Sequence, residues 1–218
     1  LFPLGGINVH PSLLPKYRGA APIPAAILNR DSETGITIQR IAAELDSGNV
    51  LFQETVPLSG RETAASLGAD MAEKGAALLV RALCAIAEGA VSETPQDDSV
   101  ATFCGKIKRQ DGLIDWRLDA ASIDARIRAF TPWPLSYTRH GNAELYILEA
   151  APYYGPVGAD TASGAAGAVI GTDRNAGIVI KTGNGLLAAR HLQYSARKAL
   201  DWRSFLNGAR NFIGSTLG

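Results

Sequence analysis

The chain has 218 residues, 46% hydrophobic and 19% charged, enough apolar material for a packed core in one large domain or two small ones. Its formal net charge is zero, which excludes a strongly basic chain that coats polyanions over its whole surface. Two cysteines, Cys84 and Cys104, are too few for a disulfide framework or a cysteine-rich metal cluster, so a reducing, cytoplasmic setting is expected; no apolar run is long enough to span a bilayer.

The chain opens Leu1-Phe2-Pro3, without Met, and reads as a strand by residue 7; the expectation is that the front of a longer protein is missing. Residues 6–10, GINVH, alternate as a strand does, with Ile7 and Val9 on one face and Asn8 and His10 on the other. A Pro- and Gly-rich loop, PSLLPKYRGAAPIP, leads to a short helix at AAILNR and a second strand at GITIQRI. LDSGNVLFQETVPLS reads as a turn and an extended segment. A long helix is then predicted from near Ser59, with Ser59 and Glu62 as a capping box. Leu67, Met71, Leu78, Ala82 and Ile86 recur at helical spacing, Cys84 is expected in the core, and Gly89 is the expected stop.

Residues 90–105 are polar and irregular, and the domain boundary is placed there, with 1–98 as one domain and 99–218 as the other. DAASIDARIRAF reads as a helix that Pro132-Trp133-Pro134 ends. Short strands follow at LSYTR, ELYILEA, AVIGT, GIVIKT and LLAARHLQY, separated by Gly- and Asn-rich turns, a pattern that suggests a small barrel. GPVGADTASGAAG is expected to be a mobile loop, and Trp116 and Trp133 are expected to anchor the core. The halves differ in charge. Residues 1–103 carry seven Lys and Arg against twelve Asp and Glu; residues 104–218 carry fourteen against nine. The second half is the better candidate for meeting a polyanion.

Asn8-X-His10 presents an amide and an imidazole from one strand face. An amide N–H can stabilise a developing oxyanion, and a neutral imidazole can take a proton near pH 7. Asp46 in LDSG could orient such a histidine. Each feature alone is more often a loop cap or an Asx turn.

Together they carry more. NVHPSLLPKYRGAAP, followed some thirty residues later by a strand and LDSG, resembles the formyltransferase superfamily that uses 10-formyltetrahydrofolate. The resemblance implies an α/β, partial Rossmann-like formyltransferase half and an active site of Asn8, His10 and Asp46. In that site His10 takes the proton of the attacking amine, Asn8 donates to the oxyanion, Asp46 orients and supports His10, and no metal is needed. The loop residues Ser12, Leu13, Leu14, Pro15, Arg18 and Gly19 are expected to line the substrate pocket, with Arg18 meeting an anionic part of the substrate. Gly19 is expected either to allow a close backbone approach or to serve the turn.

KIKRQDGLIDWRLDAASIDARIRAFTPWPLSYT is similar to the start of the C-terminal domain of the methionyl-tRNA formyltransferases, most notably in IRAF-x-PWP. That implies an OB-like barrel that contacts initiator methionyl-tRNA in translation initiation, with Lys106, Lys108 and Arg109 on its phosphates and a full-length protein that is monomeric and free of membrane. DG-x-IDW also occurs in amino-sugar formyltransferases, which makes transfer to a nucleotide-linked amino sugar the alternative. An RNA-binding fragment without activity is another, because the front of the folate pocket is expected to be missing. Asn49 stands where the family usually has an acidic residue, and is expected to matter to local structure.

Overall fold

The computed structural model describes residues 4–156 and 164–218. The chain divides into two compact units, Leu1–Ile107 and Lys108–Gly218. Among the described residues, no helix is long and apolar enough to cross a membrane.

The first unit runs β1 (Ile7–His10), β2 (Arg18–Gly19), α1 (Pro22–Leu28), β3 (Glu33–Arg40), β4 (Val50–Pro57), α2 (Ala64–Ala87) and β5 (Phe103–Cys104). β3 is the centre of an antiparallel sheet of order β1-β3-β4. Its residues from Thr34 to Gln39 are all buried, as a strand covered on both faces must be. α2 lies against β3 and β4 through Leu67, Met71, Gly75, Leu78 and Ala82, a stripe at helical spacing. Residues 99–107 belong with this unit because Phe103 and Cys104 pair in parallel with Arg18 and Gly19.

Two expectations for α2 need correction. The helix starts at Ala64, capped by Thr63 and Ser66. Ser59 and Glu62 do bond each other, but in the turn before it: Ser59 N–H and Oγ donate to Glu62 Oε1 at 2.8 and 2.6 Å. Cys84 is exposed; it stands two residues, about 200°, from buried Ala82 and so faces away from the sheet. The predicted stop is found, with Gly89 at φ +68° just after the Glu88 cap.

The Ser59 turn gives a pH-dependent prediction. Partial burial raises the Glu62 pKa, but the Ser59 and Gly60 donors outweigh it and bring the carboxyl down to about 2 from an ordinary 4.5. A folded-state pKa below the unfolded one adds stability that is present above about 4.5 and lost as pH falls through about 2. Glu62→Gln should therefore lower the neutral plateau of a stability–pH curve and flatten its acid limb in that interval, so that the two curves converge below about pH 2. An unchanged acid limb in urea titrations would remove the assignment.

The second unit runs α3 (Ala120–Ala129), β6 (Ser136–His140), β7 (Ala143–Tyr153), β8 (Val169–Asp173), β9 (Gly177–Lys181), β10 (Leu186–Tyr194), β11 (Leu200–Asp201) and α4 (Trp202–Gly208). The sheet order is β6-β7-β10-β9-β8, with β11 on β10, all antiparallel. This is an open path: among the described residues β6 and β8 do not pair, so strand pairing alone closes no barrel. α3 is capped by Asp119, whose Oδ1 accepts the Ser122 N–H at 2.9 Å. Ile123 and Ile127 of α3 meet Leu145 and Ile147 of β7, Ile178 and Ile180 of β9, and Leu187 and Leu192 of β10 in one core. Their inward alternation is what the sequence periodicity requires.

Trp116 is in that core, its Nε1–H donating to Thr138 Oγ1 at 3.0 Å. Trp133 is not, and is 58% exposed. The chain has left α3 by then, and the residue stands on the turn between two prolines, beyond the helix's buried stripe. The stretch expected to be a mobile loop lies for the most part, at 157–163, outside the described residues.

Candidate active site

All three residues singled out from the sequence lie in the first unit, and their side chains converge. β1 carries Asn8 and His10 on one face, paired in register with Gln39 and Thr37 of β3. The turn between β3 and β4 carries Asp46 in the left-handed region, at φ +52°, a conformation Asp tolerates better than most residues. That turn folds back tightly. A Cβ on Gly48 would stand 1.8 Å from the Arg40 carbonyl oxygen, so only glycine fits.

The Asp46 carboxylate is held on several sides. Oδ1 accepts from Gln39 Nε2 at 3.0 Å and, more weakly, from Asn8 Nδ2 at 3.4 Å. Oδ2 accepts the Gly19 backbone N–H at 2.9 Å and lies 3.6 Å from His10 Nδ1. That last separation is an electrostatic contact, too long for a hydrogen bond.

His10 is only 4% exposed, so the convergence point is less open than a solvent-accessible site would require. Its Nε2 is 2.9 Å from the Tyr17 carbonyl oxygen. A carbonyl only accepts, so Nε2 carries the proton. The Tyr17 carbonyl, and not Asp46, therefore sets the tautomer. Asp46 faces the other nitrogen, Nδ1. Tyr17 is pinned in turn: its N–H donates to Thr102 Oγ1 at 2.8 Å and its hydroxyl to Asp31 Oδ2 at 2.6 Å. Burial, helped by the bond to Asp31, pushes the phenol up to about 12, so it stays protonated.

A cavity of about 410 Å³ adjoins the cluster, lined by Asn8, Gln39 and Asp46 together with Ile41 and Leu45. Ile41 and Leu45 are 66% and 65% exposed and give it an apolar wall.

The loop residues separate into two groups. Leu13 and Pro15 line another cavity of about 260 Å³ with Tyr17, Asp31 and Thr34. Ser12, Leu14 and Arg18 turn inward. Ser12 Oγ donates to the Lys16 carbonyl, Leu14 N–H donates to Thr37 Oγ1, and Arg18, 4% exposed, donates to Gln96 and Asp98. Arg18 is thus engaged inside the protein and has no open guanidinium for a substrate anion. Gly19, at φ +121°, serves a close approach: a Cβ there would be 2.2 Å from the Cys104 carbonyl oxygen. Asn49 donates to Glu93 at 3.1 Å, away from the cluster.

The sequence reading missed Gln39, Gln96 and the Tyr17 carbonyl. Gln39 had a usable signal, because it shares a face of β3 with Thr37, opposite Asn8 and His10. Gln96 had none.

Among the basic residues, Lys106 and Lys108 are exposed. Arg109 is exposed but engaged, donating to Glu144 at 2.8 Å and lying 5.4 Å from the Tyr137 ring centre. The second unit also has a cavity of about 530 Å³ lined by His140, Tyr194, Arg197, Lys198 and Phe205, with no carboxylate among its lining residues.

Two family models match the chain: "Formyl transferase" over residues 1–83 and "Formyl transferase, C-terminal domain" over residues 106–210. A methionyl-tRNA formyltransferase of Treponema denticola is 46% identical over 98% of this chain and 66% of its own length. One of Treponema pallidum is 42% identical over 100% of this chain and 67% of its own. The chain thus spans about two thirds of the curated relatives it matches. Among solved structures, WlaRD, a sugar 3N-formyl transferase crystallised in the presence of dTDP and 5-N-formyl-THF, superposes with a TM-score of 0.67 at 21% identity, covering 88% of this chain and 66% of that one.

Proposed function

The chain belongs to the formyltransferase family, and on that footing we propose that it transfers a formyl group from 10-formyltetrahydrofolate to the α-amino group of methionine on initiator tRNA, in the cytoplasm. The observation that carries the reading is the convergence of Asn8, His10 and Asp46 beside a cavity with an apolar wall. The folate ring system is a flat group that this wall suits. His10 takes the amine proton on Nδ1, the nitrogen left free by the Tyr17 bond, directly or through one water. The imidazolium that forms then has the Asp46 carboxylate 3.6 Å away. Asn8 supplies an N–H to the oxygen of the formyl group as the amine adds to its carbon; the bond from that carbon to N10 of the folate then breaks, and the proton held by His10 passes, directly or through water, to the departing N10, releasing tetrahydrofolate and the formylated amine.

The second unit is read as the tRNA-binding part, an OB-like barrel in a protein that is monomeric at full length. Its C-terminal segment supports the closed form. Val169 N–H at the β8 edge donates to Ser215 O at 2.9 Å, and Gly218 N–H donates to Arg139 O of β6 at 3.1 Å, so the segment bridges the two ends of the open strand path. Exposed Lys108 and the cavity with Arg197 and Lys198 offer contacts to phosphate and base, and Lys106, at the end of the first unit, offers another.

The direct test supplies 10-formyltetrahydrofolate and either methionyl-tRNA or a dTDP-amino sugar and follows the formylated product. Product on methionyl-tRNA alone is expected; product on the sugar alone would replace the acceptor. A second measurement concerns the phosphates. The double change Lys106→Ala and Lys108→Ala should weaken tRNA binding and make its dependence on log salt shallower. The slope should fall by roughly 0.9 for each phosphate that is no longer neutralised, taking the B-DNA value for duplex RNA. Arg109→Ala should add less, because Glu144 already holds that guanidinium. Equal slopes for wild type and double variant would move the tRNA contact elsewhere.

A further inference from the structure

We infer that Gln96 is a positioning residue for the formyl-transfer site, the centre of a directional hydrogen-bond relay that runs from Asp98 through Arg18, Gln96 and Gln39 to the Asp46 carboxylate. Gln96 Oε1 accepts from both Arg18 Nε and Nη2, at 3.0 and 2.8 Å. Arg18 Nη2 also donates to Asp98 Oδ1 at 2.7 Å. On its other side, Gln96 Nε2 lies 2.7 Å from the Gly48 carbonyl, 2.9 Å from the Asp46 carbonyl and 3.2 Å from Gln39 Oε1.

The polarity follows from chemistry alone. Arginine has donors and no acceptor, so the Gln96 oxygen must face Arg18. Its NH₂ then faces three oxygens, all of which accept. Because Gln39 accepts through Oε1, its own NH₂ is the group turned to Asp46, where it donates to Oδ1 at 3.0 Å. A flip of either amide would set oxygen against oxygen or N–H against N–H. One orientation satisfies the whole chain, and it ends with donors on the carboxylate.

Gln96 acts on Asp46 in two ways. Through Gln39 it turns a donor onto the side chain. Directly, it ties down the main-chain carbonyls of Asp46 and Gly48, the turn in which Asp46 takes its left-handed conformation. Arg18 is 4% exposed and Gln39 2% exposed. An interior guanidinium requires partners, and here the partners form the scaffold of the site. This accounts for an arginine beside the active-site loop that cannot meet a substrate anion: it acts through Gln96.

The test uses Gln96→Glu, which keeps the shape and the pairing with Arg18 but turns an acceptor toward three acceptors. Gln96→Leu and Arg18→Leu break the relay at successive links. The inference rests on the proposed formyl transfer for its kinetic readout. In Gln96→Glu, kcat should fall by up to about 10²-fold, the cost of a small misplacement at the reacting centre, while KM for both substrates stays near wild type. A second readout needs no activity: the Gly19 amide proton, bonded to Asp46 Oδ2 at 2.9 Å, should move upfield in the NMR spectrum of folded Gln96→Glu. Arg18→Leu should reproduce both changes, and Arg18→Lys should restore part of each. A Gly19 resonance and a kcat at wild-type values in folded Gln96→Glu would overturn the relay. If the wild-type chain formylates neither acceptor, the reading of function falls, and the Gly19 resonance still decides the relay.

Discussion

Replacing His10 by Ala should lower kcat for the proposed formyl transfer by about 10²–10⁴-fold, the usual worth of a positioned proton acceptor, and should leave tRNA binding nearly unchanged. The expectation rests on how the ring is held. Nε2 is committed to the Tyr17 carbonyl at 2.9 Å, so Nδ1 is the nitrogen with a lone pair to offer. Facing Nδ1 at 3.6 Å is a carboxylate that other donors keep in place. The pair is little exposed, at 4% and 12% for the two side chains. His10→Asn keeps a side chain that can still donate to Tyr17 but cannot accept a proton near neutrality. It should therefore be as inactive as His10→Ala while retaining more of the fold's stability. Turnover near wild type in both variants would end the general-base assignment.

Asn8→Ala should cost about 2.7–4 kcal/mol in transition-state stabilisation, the range for removing one oxyanion donor. The loss should appear in kcat with little change in KM, because the donor acts on charge that develops only during reaction. One Asn8 N–H leans toward Asp46 Oδ1 at a weak 3.4 Å, so the amide is not fully committed in the resting site. Asn8→Asp separates donation from shape. It sets a second carboxylate beside Asp46, removing the donor and adding like-charge repulsion, and should be at least as damaging as Ala. Single-turnover rates would distinguish these variants from binding defects. Unaltered rates in Asn8→Ala would assign the amide to holding Asp46, with the oxyanion donor to be sought elsewhere.

The sequence by itself determined the elements whose signal is periodic and the residues whose spacing forces a shared face. Asn8 and His10 must project together from a strand, and the LDSG turn had to put Asp46 where one strand ends and the next begins. The stripe through Leu67, Met71, Leu78 and Ala82 became the buried face of α2. The hairpins β6–β7, β8–β9 and β9–β10 paired as their turns required, whereas β7 pairs with β10 across the intervening strands, which no turn dictates. Local periodicity failed where an element was too short to repeat, as in α4, which buries only Phe205. It also failed where a residue stood off the stripe, as with exposed Cys84, or beyond the helix end, as with exposed Trp133.

The tertiary structure alone decided what each polar group faces. Arg18 reads as a loop cation and is an interior support, because Gln96, seventy-eight residues away in sequence, supplies its acceptor. The tautomer of His10 depends on a backbone carbonyl, which every residue has and no sequence pattern can single out. The physical reason is common to all these cases. Hydrophobic burial repeats along the chain with the period of the backbone, so it leaves a trace in composition and spacing. Hydrogen-bond direction depends on which donor meets which acceptor across distant segments, and that is fixed only when the chain has folded.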